Sequence, residues 1–187
     1  MYYQKKTKLL AGIVILLMPL FTEAQSNFST KNAKITFFSS TPIEDIKASA
    51  DNAAAVLIGR TREIVFQVNI KSFEFEKRLM QEHFNENYME SDKYPYGKFK
   101  GKINQEIDFS KDGEYNVTST GILSIHGVDK QRTIPGKLKI SNGQVQLTSS
   151  FDVACADHRI KIPTLVITKI AEVINVKVNA NLNLSSK

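Results

Sequence analysis

The side chains able to do chemistry are few, and their spacing suits little of it. The chain carries three histidines, His83, His126 and His158, and a single cysteine, Cys155. A metal site would need a histidine pair at helical spacing or a Cys/His cluster, and neither pattern is present. Asp157 and His158 are neighbours in sequence. On a strand, adjacent side chains point to opposite faces, so they are not expected to form a dyad. Glu82, Glu86, Glu90 and Asp92 gather in one segment, as acid/base carboxylates or calcium ligands would. The EF-hand spacing is missing, however, and most of them would face solvent opposite an apolar stripe. There is no serine nucleophile elbow, no phosphate-binding loop and no dinucleotide fingerprint after a strand. Cys155 alternates in phase with Val145, Leu147, Phe151 and Val153, which makes it a small buried hydrophobe rather than a nucleophile. The expectation is a protein that is not an enzyme and needs no metal or cofactor.

The segment Leu79–Gly101 is the long stretch that does not alternate. Leu79, Met80, His83, Phe84, Asn87 and Tyr88 recur at helical spacing, so Leu79, Met80, Phe84 and Tyr88 form a largely apolar stripe on a short helix around residues 76–89. Pro95 ends any helix, and Phe99, Gly101, Ile103, Gln105, Ile107 and Phe109 resume the period of two expected of a strand. A helix set among strands covers something, and that is where function is sought.

Strands are expected from Ile35 to Ser40, broken at Pro42, and again from Ile43 to Ser49. A turn at Asp51-Asn52 is expected to precede a strand over Ala53–Ile58. Ile64, Phe66, Val68 and Ile70 share one face, and Asp112-Gly113 reads as a hairpin turn. Tyr115, Val117, Leu123 and Ile125 then point one way, and His126-Gly127 turns the chain. A second hairpin is centred on Asn142-Gly143. The cleanest alternation, Ile174 to Leu184, comes last, where it can pair with an early strand and remove both sheet edges. About eight antiparallel strands fit a barrel or a sandwich. The small residues Gly101, Ser119 and Gly121 among inward-facing Phe37, Phe66, Phe99, Phe109 and Phe151 either leave room inside a barrel or relieve strand bends.

The N-terminus reads as an export signal. Lys5, Lys6 and Lys8 precede the apolar run Leu9–Phe21, which is too short to span a bilayer, and Thr22-Glu23-Ala24 supplies a cleavage site. Residues 1–24 are therefore expected to be a signal peptide and 25–187 one domain, located in the periplasm or secreted. Loss of Lys5, Lys6, Lys8 and Glu23 lowers the net charge from +6 to +4. The remaining charges are mixed in sign, so nucleic acid is not an expected partner. One cysteine cannot form an internal disulfide, so the domain must rely on its core.

Taken together, LMQEHFNENYMESDKYPYGKFKG, GILSIHGVDKQRTIPGKL, SSFDV and KIPTLVITKIAEVINVKV resemble the YceI-like family of exported lipid-binding proteins over nearly the whole mature chain. The strongest marks are the helix leading into KYPYGKFKG and the strand that ends in IHGV. The resemblance implies an all-β fold, an eight-stranded antiparallel lipocalin-like barrel with an inserted helix, enclosing an apolar tunnel for a polyisoprenoid or quinone-type chain. The family's Phe-Asp-Tyr-Pro-like element reads here as Glu90-Ser91-Asp92-Lys93-Tyr94-Pro95. On this reading the tunnel wall includes Phe37, Phe66, Val68, Phe99, Val117, Leu123, Phe151 and Val176, with Leu79, Met80, Phe84 and Tyr88 on the helix side. The expected partner is an apolar long-chain lipid met through transient membrane contact, with a homodimer as the expected assembly if any. The alternative is a non-catalytic stress-response or interaction domain with a filled core. A hydrolase or isomerase using His126 or His158 is the weakest reading.

Overall fold

A computed structural model describes residues 27–163 and 170–185. The expected signal peptide, like residues 164–169 of the late resemblance segment, lies outside the described residues. In chain order come β1 (Asn27–Ser40), β2 (Asp45–Ile58), β3 (Glu63–Asn69), the two-residue β4 (Glu74–Phe75), α1 (Arg78–His83), β5 (Tyr96–Ile103), β6 (Gly113–Ile125), β7 (Val128–Ser141), β8 (Gln144–Ala154) and β9 (Val173–Leu184).

Eight long antiparallel strands close on themselves in the order β1-β9-β8-β7-β6-β5-β3-β2, and β2 returns to β1 through eleven partnered residues. The last strand pairs with the first, Phe28 opposite Leu184 and Phe37 opposite Val176, so neither keeps a free edge. β4 pairs only with Ala48 and Ser49, filling the part of β2 that β3 does not reach. The result is a barrel with one short helical insertion, not a sandwich. Among the described residues this agrees with the architecture expected from the resemblance.

Several local expectations are corrected. Asp51-Asn52 is not a turn but a bulge within a continuous β2. Between the pairs Ala33↔Ala53 and Ile35↔Ala50, β2 spends one residue more than β1, and two consecutive side chains face solvent. A turn pair flanked by long strands on the same partner is absorbed as an irregularity. β5 ends at Ile103 rather than running on to Phe109; the Asn104 amide still donates to the Thr118 carbonyl, 2.9 Å, and strand pairing goes no further. Phe109 is still buried, in a loop, with its ring 5.8 Å from that of Phe28. Asp112-Gly113 does not turn a hairpin. Gly113 is the first residue of β6 and β5 is reached through residues 104–112.

The tight turns are the other two. His126-Gly127 has φ of 52° and 69°, and Asn142-Gly143 has φ of 51° and 73°. Both are two-residue turns with left-handed backbone at both positions, which glycine allows at the second without strain. Gly101 and Gly121 also belong to the wall rather than to the interior space. They face each other across β5 and β6, and a Cβ on Gly121 would lie 2.3 Å from the Gly101 Cα. Close backbone approach, not a need for room inside, accounts for them.

The core is uneven along the barrel axis. At the end holding the Asn142-Gly143 turn, the start of β1 and the end of β9, Phe28, Leu57, Ile103, Leu138, Val145 and Leu182 are each no more than 1% exposed. At the other end lie α1, the His126-Gly127 turn and two 3-10 turns, Ile70–Ser72 and Cys155–His158. There Phe37, Phe66, Phe75, Phe84 and Phe151 keep part of their surface accessible, while Phe73 and Phe99 are buried.

Candidate functional site

The interior of that second end is a cavity of about 510 Å³, within the range of pockets that hold small molecules. Its lining is predominantly apolar and comes from all eight long strands, from α1 and from the segment after β8. All twelve residues assigned to the tunnel wall from sequence border this one space. Val68, Phe99, Val117 and Leu123 form a well-buried part of the wall. Phe37, Phe66, Phe151, Val176, Met80, Phe84 and Tyr88 are half-buried because one side of each faces empty volume. Leu79 stands apart: it lines the edge and is 61% exposed.

The helix is held there by aromatic packing. Phe84 contacts Phe37, Phe73 and Phe75 at centroid separations of 5.3, 5.8 and 5.0 Å, and Phe37 in turn meets Phe73 and Phe75 at 5.5 Å each. The expected regular helix over 76–89 is shorter and mixed. Arg78–His83 is α-helical, and Phe84–Tyr88 widens into a π turn in which the Met89 amide donates to the Phe84 carbonyl, 2.9 Å. The wider turn brings Phe84, Tyr88 and the buried Met89 to the cavity together, which a strict 3.6-residue period would not do. Burial raises the pKa of the Tyr88 phenol above its ordinary value, so it presents a neutral hydroxyl at neutral pH.

Beside the aromatic cluster, two polar joints fix the helical segment to the barrel. Lys71 pairs with Asp92 at 2.5 Å and Lys77 with Glu44 at 3.0 Å. A third joint brings the two strongest sequence marks into contact. His126 sits between Glu90 Oε2, 2.7 Å from its Nε2, and the His158 carbonyl, 3.1 Å from its Nδ1, with its ring edge-on to Tyr94 at 4.7 Å. Gly127 presses on the same tyrosine, and a Cβ there would lie 2.4 Å from its ring. His158 is fully buried and its Nδ1 donates to the Val128 carbonyl, 3.1 Å. Burial lowers its pKa below the ordinary value near 6.5, so the ring is neutral at neutral pH.

Neither His126 nor His158 lines the cavity; they tie the helix, the β6–β7 turn and the Cys155–His158 turn together. His83 does border it, on the exposed side of the helix. Asp157 and His158 lie on a 3-10 turn rather than the expected strand, and Asp157 pairs with Arg132 at 3.5 Å. Cys155 begins that turn instead of continuing the strand. It is buried and borders the cavity, and burial pushes its thiol pKa up.

Sequence reasoning passed over several lining residues. Phe73 and Phe75 alternate with glutamate in SFEFE, a strand signal too short to weigh on its own. Ile160 and Ile162 follow the same period beyond β8, and Ile170 is brought in where the Ala171 amide donates to the buried Ser39 hydroxyl, 2.9 Å. Ile134 and Leu147 are strand residues whose alternation was visible but whose height along the barrel was not.

The comparisons with known proteins agree with this architecture. Residues 15–182 match the model of the YceI-like domain. Among solved structures, a polyisoprenoid binding domain from Saccharophagus degradans implicated in plant cell wall breakdown superposes with a TM-score of 0.73 at 12% identity, covering 87% of this chain and 100% of that one. BcnA of Burkholderia cenocepacia gives 0.66 at 11% identity, with 80% and 95% covered. The Campylobacter jejuni YCEI protein gives 0.63 at 17%, with 79% and 90% covered. At these identities the likeness is one of fold. No curated protein matches the chain. With the family model spanning most of its length and a closed barrel to match, the chain belongs to the YceI-like domain family.

Proposed function

We propose that this protein binds a long-chain apolar amphiphile, of polyisoprenoid or isoprenoid-quinone type, inside the cavity at the α1 end of the barrel and carries it between membranes. One observation bears most of the weight: inward-facing Phe37, Phe66, Phe84, Phe151 and Val176 are half-exposed, and what they are exposed to is an internal space of about 510 Å³. A folded protein does not keep that much apolar surface unpaired without cost, since burial of each methylene is worth about 0.8 kcal/mol. An apolar chain entering the space recovers that energy for wall and guest alike. The S. degradans relative, a polyisoprenoid binding domain of the same fold, adds support from outside the chain.

The thermodynamics suit a carrier better than a sink. Relative to water a long tail gains roughly 0.8 kcal/mol per CH₂ on entering the barrel, but relative to a bilayer it gains almost nothing. Loading and unloading then depend on shape and on brief contact with a membrane. Leu79 and Ile43, 61% and 63% exposed, stand where such contact would occur: one lines the cavity edge, the other adjoins the lining residue Glu44. Export through the N-terminal signal would place the carrier in the periplasm or outside the cell, where lipids have no free aqueous route. The role assigned is binding, with no reaction.

Organic extraction of purified protein followed by mass spectrometry tests the proposal. The expected result is a lipid with a long methyl-branched or polyene tail at near-stoichiometric occupancy. Phe66→Ala or Phe151→Ala, by lengthening the space, should shift the co-purified population to longer chains. Protein that extracts clean and takes up no isoprenoid from vesicles would overturn the proposal.

A further inference from the structure

The barrel wall has a seam. β8 is paired with β9 along its whole length, from Gln144↔Asn183 to Ala154↔Val173, and β7 with β6 from Gly113↔Ile140 to Ile125↔Val128. Between β7 and β8, however, the ladder holds only from Ser141↔Gln144 to Lys137↔Thr148. Above that pair, residues 128–136 face 149–154 without strand pairing. Pro135, which has no N–H to give, stands where the ladder stops. Two side-chain contacts bridge the gap to β8 itself: Ser149 Oγ donates to the Pro135 carbonyl at 2.5 Å, and Arg132 Nη2 to the Asp152 carbonyl at 2.6 Å; beyond β8, Arg132 also pairs with Asp157 and His158 with the Val128 carbonyl.

The cavity reaches this seam. Pro135, Gly136, Ser149 and Val178 line the interior space, and the same four residues also line a shallow groove on the outer surface. The wall there carries one glycine, one serine and one proline where other parts of the barrel carry Phe, Leu or Ile. Outside the seam the groove is bordered by polar and basic residues, whose alkyl stems contribute much of its surface. Register sets Thr36, Lys177 and Ser150 in one row across β1, β9 and β8, and Lys34, Asn179, Thr148 and Lys137 in the next. Lys34 and Lys137 are paired with Asp51 and Glu114. Lys177, at the centre, has no carboxylate within ion-pair distance among the described residues.

We propose that the seam between β7 and β8 is a side port, and that an amphiphile with an acidic head binds with its tail threaded through it into the cavity and its head outside against Lys177. This deepens the lipid-binding reading and rests on it. A ladder of backbone hydrogen bonds could not part for a chain, but beside Ser149 and Asp152 only two side-chain bonds need give while the Arg132–Asp157 and His158–Val128 contacts hold the rim beyond them, and the hydroxyls of Thr36 and Ser150 beside an ammonium make a setting that a carboxylate or phosphate head satisfies.

The test is a titration of the full chain, stripped of lipid, with a conjugated-polyene fatty acid and with its methyl ester. The wild type should bind both, the acid more tightly. Lys177→Glu should weaken the acid by roughly five-fold while sparing the ester, the scale expected from reversing one exposed charge partner. Lys100→Glu, on the outer wall of β5, should change neither. Ser149→Leu, which fills the port from inside, should abolish the preference for the acid in protein that still melts as the wild type does. Equal effects of Lys177→Glu on both probes, or none, would overturn the port and leave cavity binding intact. Failure of the wild type to bind either probe would remove cavity binding, and the port with it.

Discussion

The two ends of this barrel are built from the same residue types on the same strands, yet one is solid and the other hollow. At the solid end Phe28 meets Phe109 from the 104–112 loop, and Leu57, Ile103, Leu138, Val145 and Leu182 close over one another. Ala33, Ala50, Ala53 and Ala55, all nearly inaccessible, let β1 and β2 press inward around their two bulges. At the hollow end Phe37, Phe73, Phe75 and Phe84 pack mainly on one another, bracing the helix against the wall instead of filling the centre. The difference shows that an inward apolar residue is not thereby a core residue. What decides is whether something arrives from the opposite wall. The solid end supplies the stability and can spare the hollow end to a guest.

The largest test of that contrast is a pair of truncations. Leu138→Ala, at 0% exposure in the solid end, should cost about 3 kcal/mol in urea unfolding. Phe151→Ala removes more atoms but from a side chain already facing the cavity, and should cost only about 1 kcal/mol in lipid-free protein, because few contacts are lost. Equal losses would mean the hollow end is packed after all.

Glycines sharpen the same point at smaller scale. Gly121→Ala places a methyl 2.3 Å from the Gly101 Cα and should destabilise by about 2 kcal/mol, since backbone must move. Gly97 lines the cavity, and a methyl there would meet Val68 and Ile70 at ordinary contact distances of 3.4 and 3.5 Å. Gly97→Ala should be neutral or stabilise slightly by restricting the unfolded chain. Thermal melts of both variants distinguish wall from interior.

How much of this was legible in sequence follows from the same physics. Alternation gave the facing of β1, β3, β6, β8 and β9 well, because a one-residue slip would turn every apolar side chain to solvent. The eight strand residues assigned to the wall through the resemblance follow that period and the four on the helix follow the helical one, and all twelve border one space. Alternation failed where backbone, not burial, decides. The Asp51-Asn52 bulge, the loop that carries Phe109 and the π turn at Phe84 all put apolar groups inside without keeping a period. Nor does a period of two report height along the axis, so Leu138 and Phe151 read alike although one is sealed in and the other lines a void. The seam was invisible for a related reason: β7 and β8 both look like strands, and only their partners reveal that they part company at Lys137.

A subtler effect comes from the buried knot that closes the hollow end. His158 is neutral when folded because burial holds its pKa below the unfolded value near 6.5. Above that value neither state is protonated and stability is full. As pH falls below it, the unfolded chain takes up a proton that the folded ring resists, so stability is lost toward acid. His158→Asn, which keeps a donor for the Val128 carbonyl but cannot titrate, should be less stable than the wild type at pH 7.5. Its stability should fall less steeply between pH 7 and pH 5.5, and parallel curves would show that His158 does not carry the dependence.

The smallest change leaves stability alone and reads occupancy directly. Cys155 borders the hollow end, is 8% exposed, and has its thiol pKa raised by burial. Little thiolate is therefore available, and a polar aromatic disulfide reagent must reach it through the cavity. Lipid-free protein at pH 8 should be labelled far more slowly than a free thiol, and protein loaded with lipid more slowly still, with no change in melting temperature on removal of the thiol by Cys155→Ser beyond that of one buried polar atom. A labelling rate indifferent to lipid would place the guest away from the wall that Cys155 shares with Val153 and Ile160, and would confine it to the side of the cavity nearer α1.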